Sequence, residues 1–146
     1  MDLHQLKQGK ILIIGDIILD EYLQGTVSRV SPEAPVPVLR PDDRELRLGG
    51  AANVASNVKS LGSKVELIGV VGKDAAGKEL RELLKNKSIR ASLTNSDKTT
   101  VHKLRLLAGQ QQLLRLDREE AFTKKDWLET KNAFFKKLKE VWEELT

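Results

Sequence analysis

The sequence predicts an α/β fold in which a parallel sheet is flanked by helices and carries a small β lid. Three observations lead to this prediction. Between residues 10 and 93 the patterns run strand, helix, strand, helix, strand, which is the order of a parallel sheet with right-handed crossovers. The strand patterns are apolar without alternation, as expected of strands covered on both faces. A proline-rich segment and a hairpin-like segment lie outside this series.

The first strand is predicted from Lys10 to Asp16, where an aliphatic, β-branched run ends at a Gly-Asp turn. Because the run does not alternate, we interpret it as a central strand. All 4 prolines of the chain then fall within the segment from Tyr22 to Leu48. Proline cannot donate a ladder hydrogen bond, so this segment is predicted to form edge strands or loops of a flap.

The pair Gly49-Gly50 opens a predicted helix over residues 51–61. Gly62 follows at the position where a left-handed residue ends a helix. The apolar run at residues 64–71 is the second predicted buried strand.

Asp74 is the predicted N-cap of a second helix that extends to about Lys85, with three leucines on one face. Residues 89–93 then form the third strand of the series. With this strand, the chain contains the two βαβ units that a parallel sheet requires.

Two extended segments, residues 99–107 and 112–117, flank a predicted hairpin turn and complete the lid, whose segments are residues 22–48 and 97–117. The chain closes with an amphipathic helix over residues 124–145, capped by Thr123. One stripe of that helix is apolar, and we interpret it as a core face. Its members are Trp127, Leu128, Phe134, Phe135, Leu138, Val141, Trp142 and Leu145.

The composition excludes several classes of protein. With 40% hydrophobic and 32% charged residues, the chain has a globular composition, and no apolar run is long enough to span a bilayer. The stretch Ile11–Ile14 is too short for a signal peptide, so we expect a cytoplasmic protein. A net charge of +4 without basic segments interleaved with aromatic residues indicates no nucleic-acid partner. The absence of cysteine and of paired histidines predicts no metal site.

The glycine pair and the polar residues near it are the strongest candidates for a binding site. Gly49 and Gly50 allow backbone N–H groups to approach a ligand at a positively polarised helix N-terminus. Asn53, one turn into the helix, offers a donor and an acceptor to a hydroxyl group. From the glycine spacing alone, a tight strand-to-helix turn is the simpler interpretation, and a helix or turn cap is the alternative interpretation of Asp16.

The second lid segment carries a cluster of cations. On a strand, Lys103 and Arg105 point to the same face, and Arg115 lies on the paired strand. This arrangement suits a phosphate clamp, and a solvated charged face remains the alternative. His102 points to the other face and is interpreted as a surface or packing histidine.

The spacing of Gly49, Gly50, Asn53, Gly62 and Gly72 resembles the first signature of the PfkB (ribokinase-type) carbohydrate kinases. The turn Gly15-Asp16 is similar to the sugar-binding aspartate turn of that family. The resemblance implies a ribokinase-like three-layer sandwich, here partial, in which Asp16, Gly49, Gly50 and Asn53 bind the sugar.

Within that family, residues 28–38 and 103–117 resemble the lid of the bacterial heptose 7-phosphate kinases. The resemblance covers the chain to about Glu120. It implies ATP- and Mg²⁺-dependent phosphorylation of the anomeric hydroxyl of heptose 7-phosphate, in ADP-heptose and lipopolysaccharide core synthesis. A 7-phosphate is an anion that the cation cluster of Lys103, Arg105 and Arg115 would suit, and the resemblance implies a homodimer formed through the lids.

The family's catalytic base lies in a Gly-Ala-Gly-Asp turn, and this sequence contains neither that turn nor a Walker-type loop. We therefore expect residues 1–146 to be the N-terminal part of a kinase domain, with the ATP-binding half absent and no catalytic residue present. Neither the ATP site nor the Mg²⁺ site is expected to be complete, so the chain alone would be inactive or would need a separately encoded C-terminal half. The alternatives are a non-catalytic, sugar-phosphate-binding or dimerising pseudo-kinase module, and a kinase of another sugar.

Overall fold

The computed structural model describes residues 9–145 of the chain. This part contains the predicted alternation of strands and helices together with a second sheet. The elements in chain order are β1 (Lys10–Ile14), β2 (Ile17–Val30), β3 (Pro37–Gly49), α1 (Gly50–Ser60), β4 (Lys64–Gly72), α2 (Ala75–Asn86), β5 (Arg90–Ser96), β6 (Val101–Ala108), β7 (Gln111–Arg118) and α3 (Lys124–Leu145).

The first sheet is parallel throughout and has the strand order β1-β4-β5. Strand β4 lies in its centre and is buried along almost its whole length, as its mostly apolar, non-alternating sequence predicts. The interpretation of β1 as a central strand is wrong for the described residues. It forms an edge of this sheet, and its last residue, Ile14, is 51% exposed.

The second sheet is the lid, with the order β3-β2-β6-β7. Strands β2 and β6 are parallel, and each pairs with its outer neighbour in antiparallel fashion. Its strands cover residues 17–49 and 101–118, so the lid begins five residues before the predicted start at Tyr22. The proline-bearing strand β3 is an edge, as predicted, whereas β2 is an interior strand. A register shift between Gln24 and Gly25 leaves Asp42 as an extra residue on β3, next to Pro41, which lies opposite Gly25.

One hydrophobic core joins the base of the lid to the parallel sheet. Leu19 of β2 and Leu48 of β3 are buried in the same cluster as Leu67 of β4 and Leu80 and Leu84 of α2. At its base, therefore, the lid packs one face against the helices and leaves the opposite face available. Each of these aliphatic side chains contributes about 1.5–3 kcal/mol through its burial.

The predicted helix ends are confirmed by the backbone. Gly62, just beyond α1, has a φ of +95°, as required of a left-handed stop. Asp74 accepts a hydrogen bond from the Gly77 N–H at the start of α2. Thr123 and Asp126 exchange hydrogen bonds at the start of α3.

The interpretation of the α3 stripe as a core face is wrong for most of its aromatic residues. Val141 is buried, but Phe135 is 53% exposed and Trp142 is 59% exposed. The helix packs against β5 and β4, while Phe135 and Trp142 lie beside the exposed end of β1. No helix among the described residues has the length and apolar character needed to cross a membrane.

Candidate functional site

The glycine pair brings α1 into direct contact with the turn after β1. The Ala51 N–H donates a 2.8 Å hydrogen bond to the carbonyl oxygen of Asp16. Gly50 has a φ of +55°, and a Cβ at this position would collide with that oxygen. A glycine is therefore needed for the two segments to meet. The contact keeps Asp16 beside the N-terminus of α1, where Asp16, Gly50 and Asn53 are all exposed.

A cavity of about 750 Å³ opens at the same edge of the parallel sheet. Its walls are the ends of β1, β4 and β5, the segment between β7 and α3, and the first turns of α3. Ligands of open α/β sheets bind at the carboxyl ends of the strands, which is where this cavity lies. Asp16 lines it, whereas Gly49, Gly50 and Asn53 lie outside its wall.

Lys98 connects the two walls of this cavity, and its contribution was not predicted from the sequence. Its Nζ lies 3.4 Å from Glu120 Oε2 and 3.5 Å from Asp126 Oδ2. The nearby Asp126 carboxylate, together with a hydrogen bond to Glu120, raises the pKa of Lys98. Glu120 also accepts a hydrogen bond from the Thr99 N–H. The segment after β5 is thus held against the segment that leads into α3.

The predicted cations lie together on one face of the lid. Arg105 and Arg115 are directly opposite each other on β6 and β7. Each is paired with a carboxylate: the Arg105 Nη1 is 2.5 Å from Asp20 Oδ1, and Arg115 donates to both oxygens of Asp117 at 2.8 and 3.0 Å. Lys103 lies in register between Asp20 and Asp117. The hydrogen bond with Asp20 raises the pKa of Arg105.

An aromatic ring supports these cations. The Tyr22 ring contacts two guanidinium groups, with the Arg47 Cζ at 4.4 Å and the Arg105 Cζ at 5.1 Å from its centroid, within the range of a cation–π interaction. Ile18, Asp20 and Tyr22 occupy every second position of β2 and therefore lie on one face of the strand. That period-2 pattern was present in the sequence, but the lid was predicted to start at Tyr22, which left Asp20 outside it.

Asp20 also connects the lid cations with the glycine turn. A Cβ on Gly49 would collide with the Oδ2 of Asp20, so the carboxylate lies directly against the backbone of the turn. The two groups of predicted site residues, one at the sheet edge and one on the lid, are therefore joined through a residue that the sequence analysis did not select.

The opposite face of the lid carries a separate charge network. Glu21 is 8% exposed and lies 2.7 Å from His102 Nε2 and 2.6 Å from Arg44 Nε. Arg44 also contacts Glu79 of α2 at 3.0 Å. Burial alone would raise the pKa of Glu21, but the interactions with Arg44 and His102 outweigh it and lower the pKa. Here His102 is a packing residue that helps to hold the lid on α2.

The chain is similar in sequence to carbohydrate kinases. A sequence model described as "pfkB family carbohydrate kinase" matches residues 8–141. The "Bifunctional protein HldE" of Histophilus somni is 50% identical over 119 residues, which are 81% of this chain and 25% of that protein. The protein of the same name from Coxiella burnetii is 51% identical over 121 residues, 82% of this chain and 26% of that protein. The chain thus spans about a quarter of the length of these relatives.

Solved structures match the fold. The phosphofructokinase-2 of Escherichia coli in complex with substrates and products aligns with a TM-score of 0.63 at 20% identity, covering 82% of this chain and 38% of that chain. A carbohydrate kinase from Agrobacterium tumefaciens aligns with a TM-score of 0.61 at 22% identity, covering 74% of this chain and 34% of that chain. The predicted ribokinase-like fold class is confirmed.

Proposed function

Because the chain belongs to the pfkB family of carbohydrate kinases, we propose that it is the sugar-binding part of a kinase that phosphorylates the anomeric hydroxyl of heptose 7-phosphate. The product of that reaction feeds ADP-heptose and lipopolysaccharide core synthesis in the cytoplasm. The observation that carries the proposal is the contact between Asp16 and the N-terminus of α1. It holds Asp16 at the carboxyl edge of the sheet beside the helix that carries the exposed Asn53, which supports a sugar site there.

The sugar end and the phosphate end of the proposed substrate are bound by different groups of residues, one at the sheet edge and one on the lid. At the sheet edge, Asp16 accepts hydrogen bonds from sugar hydroxyls and Asn53 bridges two of them, next to Gly49 and Gly50. On the lid, Lys103, Arg105 and Arg115 bind the 7-phosphate. The cross-strand position of the two arginines supports a clamp, because two guanidinium groups can engage a phosphate through several charge-assisted hydrogen bonds.

The choice of heptose 7-phosphate over another sugar phosphate rests on the lid resemblance and on the similarity to the HldE proteins. Calorimetric titration tests it directly. We expect heptose 7-phosphate to bind more tightly than fructose 6-phosphate, which carries a phosphate on a shorter sugar. Equal or tighter binding of fructose 6-phosphate would favour a kinase of another sugar.

A polypeptide of these 146 residues alone is expected to transfer no phosphate. The sequence has no Gly-Ala-Gly-Asp turn, and residues 9–145 hold no group of three or more His, Cys, Asp or Glu side chains suited to a metal. We therefore expect the sites for the ATP and Mg²⁺ that the family uses to be incomplete in this chain. An assay of ADP release with heptose 7-phosphate and MgATP should give no turnover, and turnover by the pure chain contradicts this prediction.

We expect the residues that complete the catalytic site to pack against one exposed groove. Leu12 and Ile14 of β1 and Phe135, Leu138 and Trp142 of α3 line a cavity of about 450 Å³ beside the edge of the parallel sheet. Fusing the chain to the remaining part of the Histophilus somni relative should restore ADP release. A folded fusion that binds the sugar but stays inactive would favour the non-catalytic pseudo-kinase module instead.

The chain is also expected to form a dimer through its lid. The outer lid strands β3 and β7 present backbone edges, which favour pairing with a second chain. Leu114 and Leu116 of β7 are 49% and 47% exposed, and a partner lid would cover them. Sedimentation at micromolar concentration should show a dimer, and Leu114→Asp should shift it toward the monomer. A monomer at high micromolar concentration contradicts the prediction.

A further inference from the structure

We propose that Arg44 is a positioning residue that fixes the angle of the lid over the parallel sheet by bridging the lid to α2. The inference rests on the proposed function where it predicts an effect on the substrate, because the lid carries the proposed phosphate end of the site. Arg44 lies on β3 and contacts two carboxylates. Its Nε is 2.6 Å from Glu21 Oε1 on β2, and its Nη2 is 3.0 and 3.3 Å from the two carboxylate oxygens of Glu79 on α2. Within residues 9–145, no other ion pair joins a lid strand to this helix.

The lid meets α2 at two separate places. At its base, Leu19 and Leu48 are buried in the same core cluster as Leu80 of α2. Arg44 precedes Leu48 by four residues on β3, a distance of about 13 Å at a rise of about 3.3 Å per residue. Apolar contacts are not directional, so the leucine contact alone would permit the lid to tilt about its base. A directional ion pair further out along the strand removes that freedom.

Glu21 orients the Arg44 guanidinium from within the lid. The residues in register with Glu21 are Leu46 on β3 and Leu104 on β6, and only 11% of the Glu21 side chain is exposed. A carboxylate in such apolar surroundings must be paired. Its partners are Arg44 and His102, whose Nε2 is 2.7 Å away. Because Glu21 holds the Nε of Arg44, the Nη2 of the same planar group is directed to α2.

The angle of the lid sets the spacing within the proposed site. Asp16 is fixed beside the parallel sheet by its backbone contact with α1, whereas Arg105 and Arg115 lie on the lid strands β6 and β7. A tilt of the lid therefore moves the proposed phosphate-binding cations relative to the proposed sugar-binding carboxylate. A lid held at one angle has less freedom to lose when a ligand contacts both groups. The Arg44 bridge thus favours a sugar whose phosphate lies at the matching distance.

The test removes the helix end of the bridge. The Glu79 side chain is 32% exposed, and its loss leaves the buried pair of Glu21 and Arg44 intact. Glu79→Ala deletes the acceptor, whereas Glu79→Gln keeps an oxygen to which Arg44 can donate. Arg44→Met keeps an apolar side chain and deletes the bridge from the lid side. The control is Glu82→Ala, which removes an exposed carboxylate of the same helix.

The first readout needs no sugar. The chain has no cysteine, so Glu33→Cys between β2 and β3 and Lys85→Cys in the last turn of α2 introduce two sites for spin labels, both exposed. Pulsed EPR on the 146-residue chain, diluted with unlabelled chain, measures the distance between the labels. We expect one narrow distance distribution in the parent, Glu79→Gln and Glu82→Ala, and a broader one in Glu79→Ala and Arg44→Met. A distribution in Glu79→Ala as narrow as that of the parent overturns the inference while the proposed substrate stands.

The second readout is the ratio of the dissociation constants for unphosphorylated heptose and heptose 7-phosphate, in the fusion with the Histophilus somni relative. We expect Glu79→Ala to reduce this preference for the phosphorylated sugar by about two- to fivefold, the effect of one partly exposed ion pair. Glu79→Gln and Glu82→Ala should retain the preference.

Two further outcomes separate the inference from the proposed function. If Glu79→Ala weakens the binding of both sugars equally, or of neither, the lid angle does not select the phosphate and the inference is overturned. If the parent itself shows no preference for the phosphorylated sugar, the proposed phosphate clamp fails, and the EPR distances decide whether Arg44 fixes the lid.

Discussion

Asp16→Ala is expected to weaken the binding of heptose 7-phosphate by roughly tenfold to a hundredfold while leaving the chain folded. The carboxylate is the proposed acceptor for sugar hydroxyls, and its loss leaves those hydroxyls unpaired in the complex. A hydrogen bond to a charged group contributes about 1.5–3 kcal/mol, which corresponds to that range of affinity. The structural contact of this residue uses its backbone carbonyl, so the side chain can be removed without losing it.

The measurement is calorimetry on the fusion with the Histophilus somni relative. Asp42→Ala removes an exposed carboxylate from the lid strand β3 and serves as the charge-matched control, with unchanged affinity expected. Thermal unfolding of both variants should follow the parent closely, because surface substitutions usually change stability by less than about 0.5 kcal/mol. If Asp16→Ala binds the sugar phosphate as tightly as the parent does, the assignment of Asp16 to the sugar site is wrong.

Much of the fold could be predicted because its signals are local. The helix α3 begins and ends where the sequence placed it, since the Thr123 cap and the apolar period both lie within the segment. The stop at Gly62 and the cap at Asp74 depend likewise on single residues with a strong conformational preference. The glycine pair was selected for a similar reason, although the hydrogen bond beside it runs from the Ala51 N–H to the Asp16 carbonyl.

What could not be predicted depends on partners distant in sequence. The exposure of Phe135 and Trp142 follows from the strand order, which places β1 at an edge of the described sheet, and an apolar stripe alone does not tell what covers it. The Asp20–Arg105 pair joins residues 85 positions apart, and no local pattern gives the register of β2 on β6. The cavity contacts of Lys98 depend in the same way on where the segment after β7 returns to the sheet.

Asp74→Ala is expected to lower the free energy of unfolding by about 3–7 kcal/mol. Its carboxylate caps α2 by accepting from the Gly77 N–H at 2.9 Å, and it also accepts from the Thr100 N–H at 3.0 Å and the Thr100 hydroxyl at 2.7 Å. Thr100 is 2% exposed, so both of its donors would be left without a partner. A lost cap costs about 1 kcal/mol, and each unpaired buried donor costs about 1–3 kcal/mol. Urea unfolding of the purified chain measures the difference.

The control for Asp74→Ala is Asp97→Ala, because the Asp97 side chain is 83% exposed and pairs with an exposed lysine. A change in the free energy of unfolding below about 0.5 kcal/mol is expected for this control.

Burial tends to raise the pKa of Asp74, but the hydrogen bonds from Thr100 and Gly77 outweigh it and lower the pKa below its ordinary value of 3.8. The stabilisation of the fold by the Asp74 carboxylate is therefore complete above pH 3.8. It is lost as the pH falls through the lower pKa that Asp74 has in the folded state. The difference in free energy of unfolding between the parent and Asp74→Ala should therefore be constant near neutral pH and become smaller in acid. If this difference stays constant even at a pH low enough to protonate the Asp74 carboxylate fully, the carboxylate charge does not stabilise the contact between α2 and Thr100.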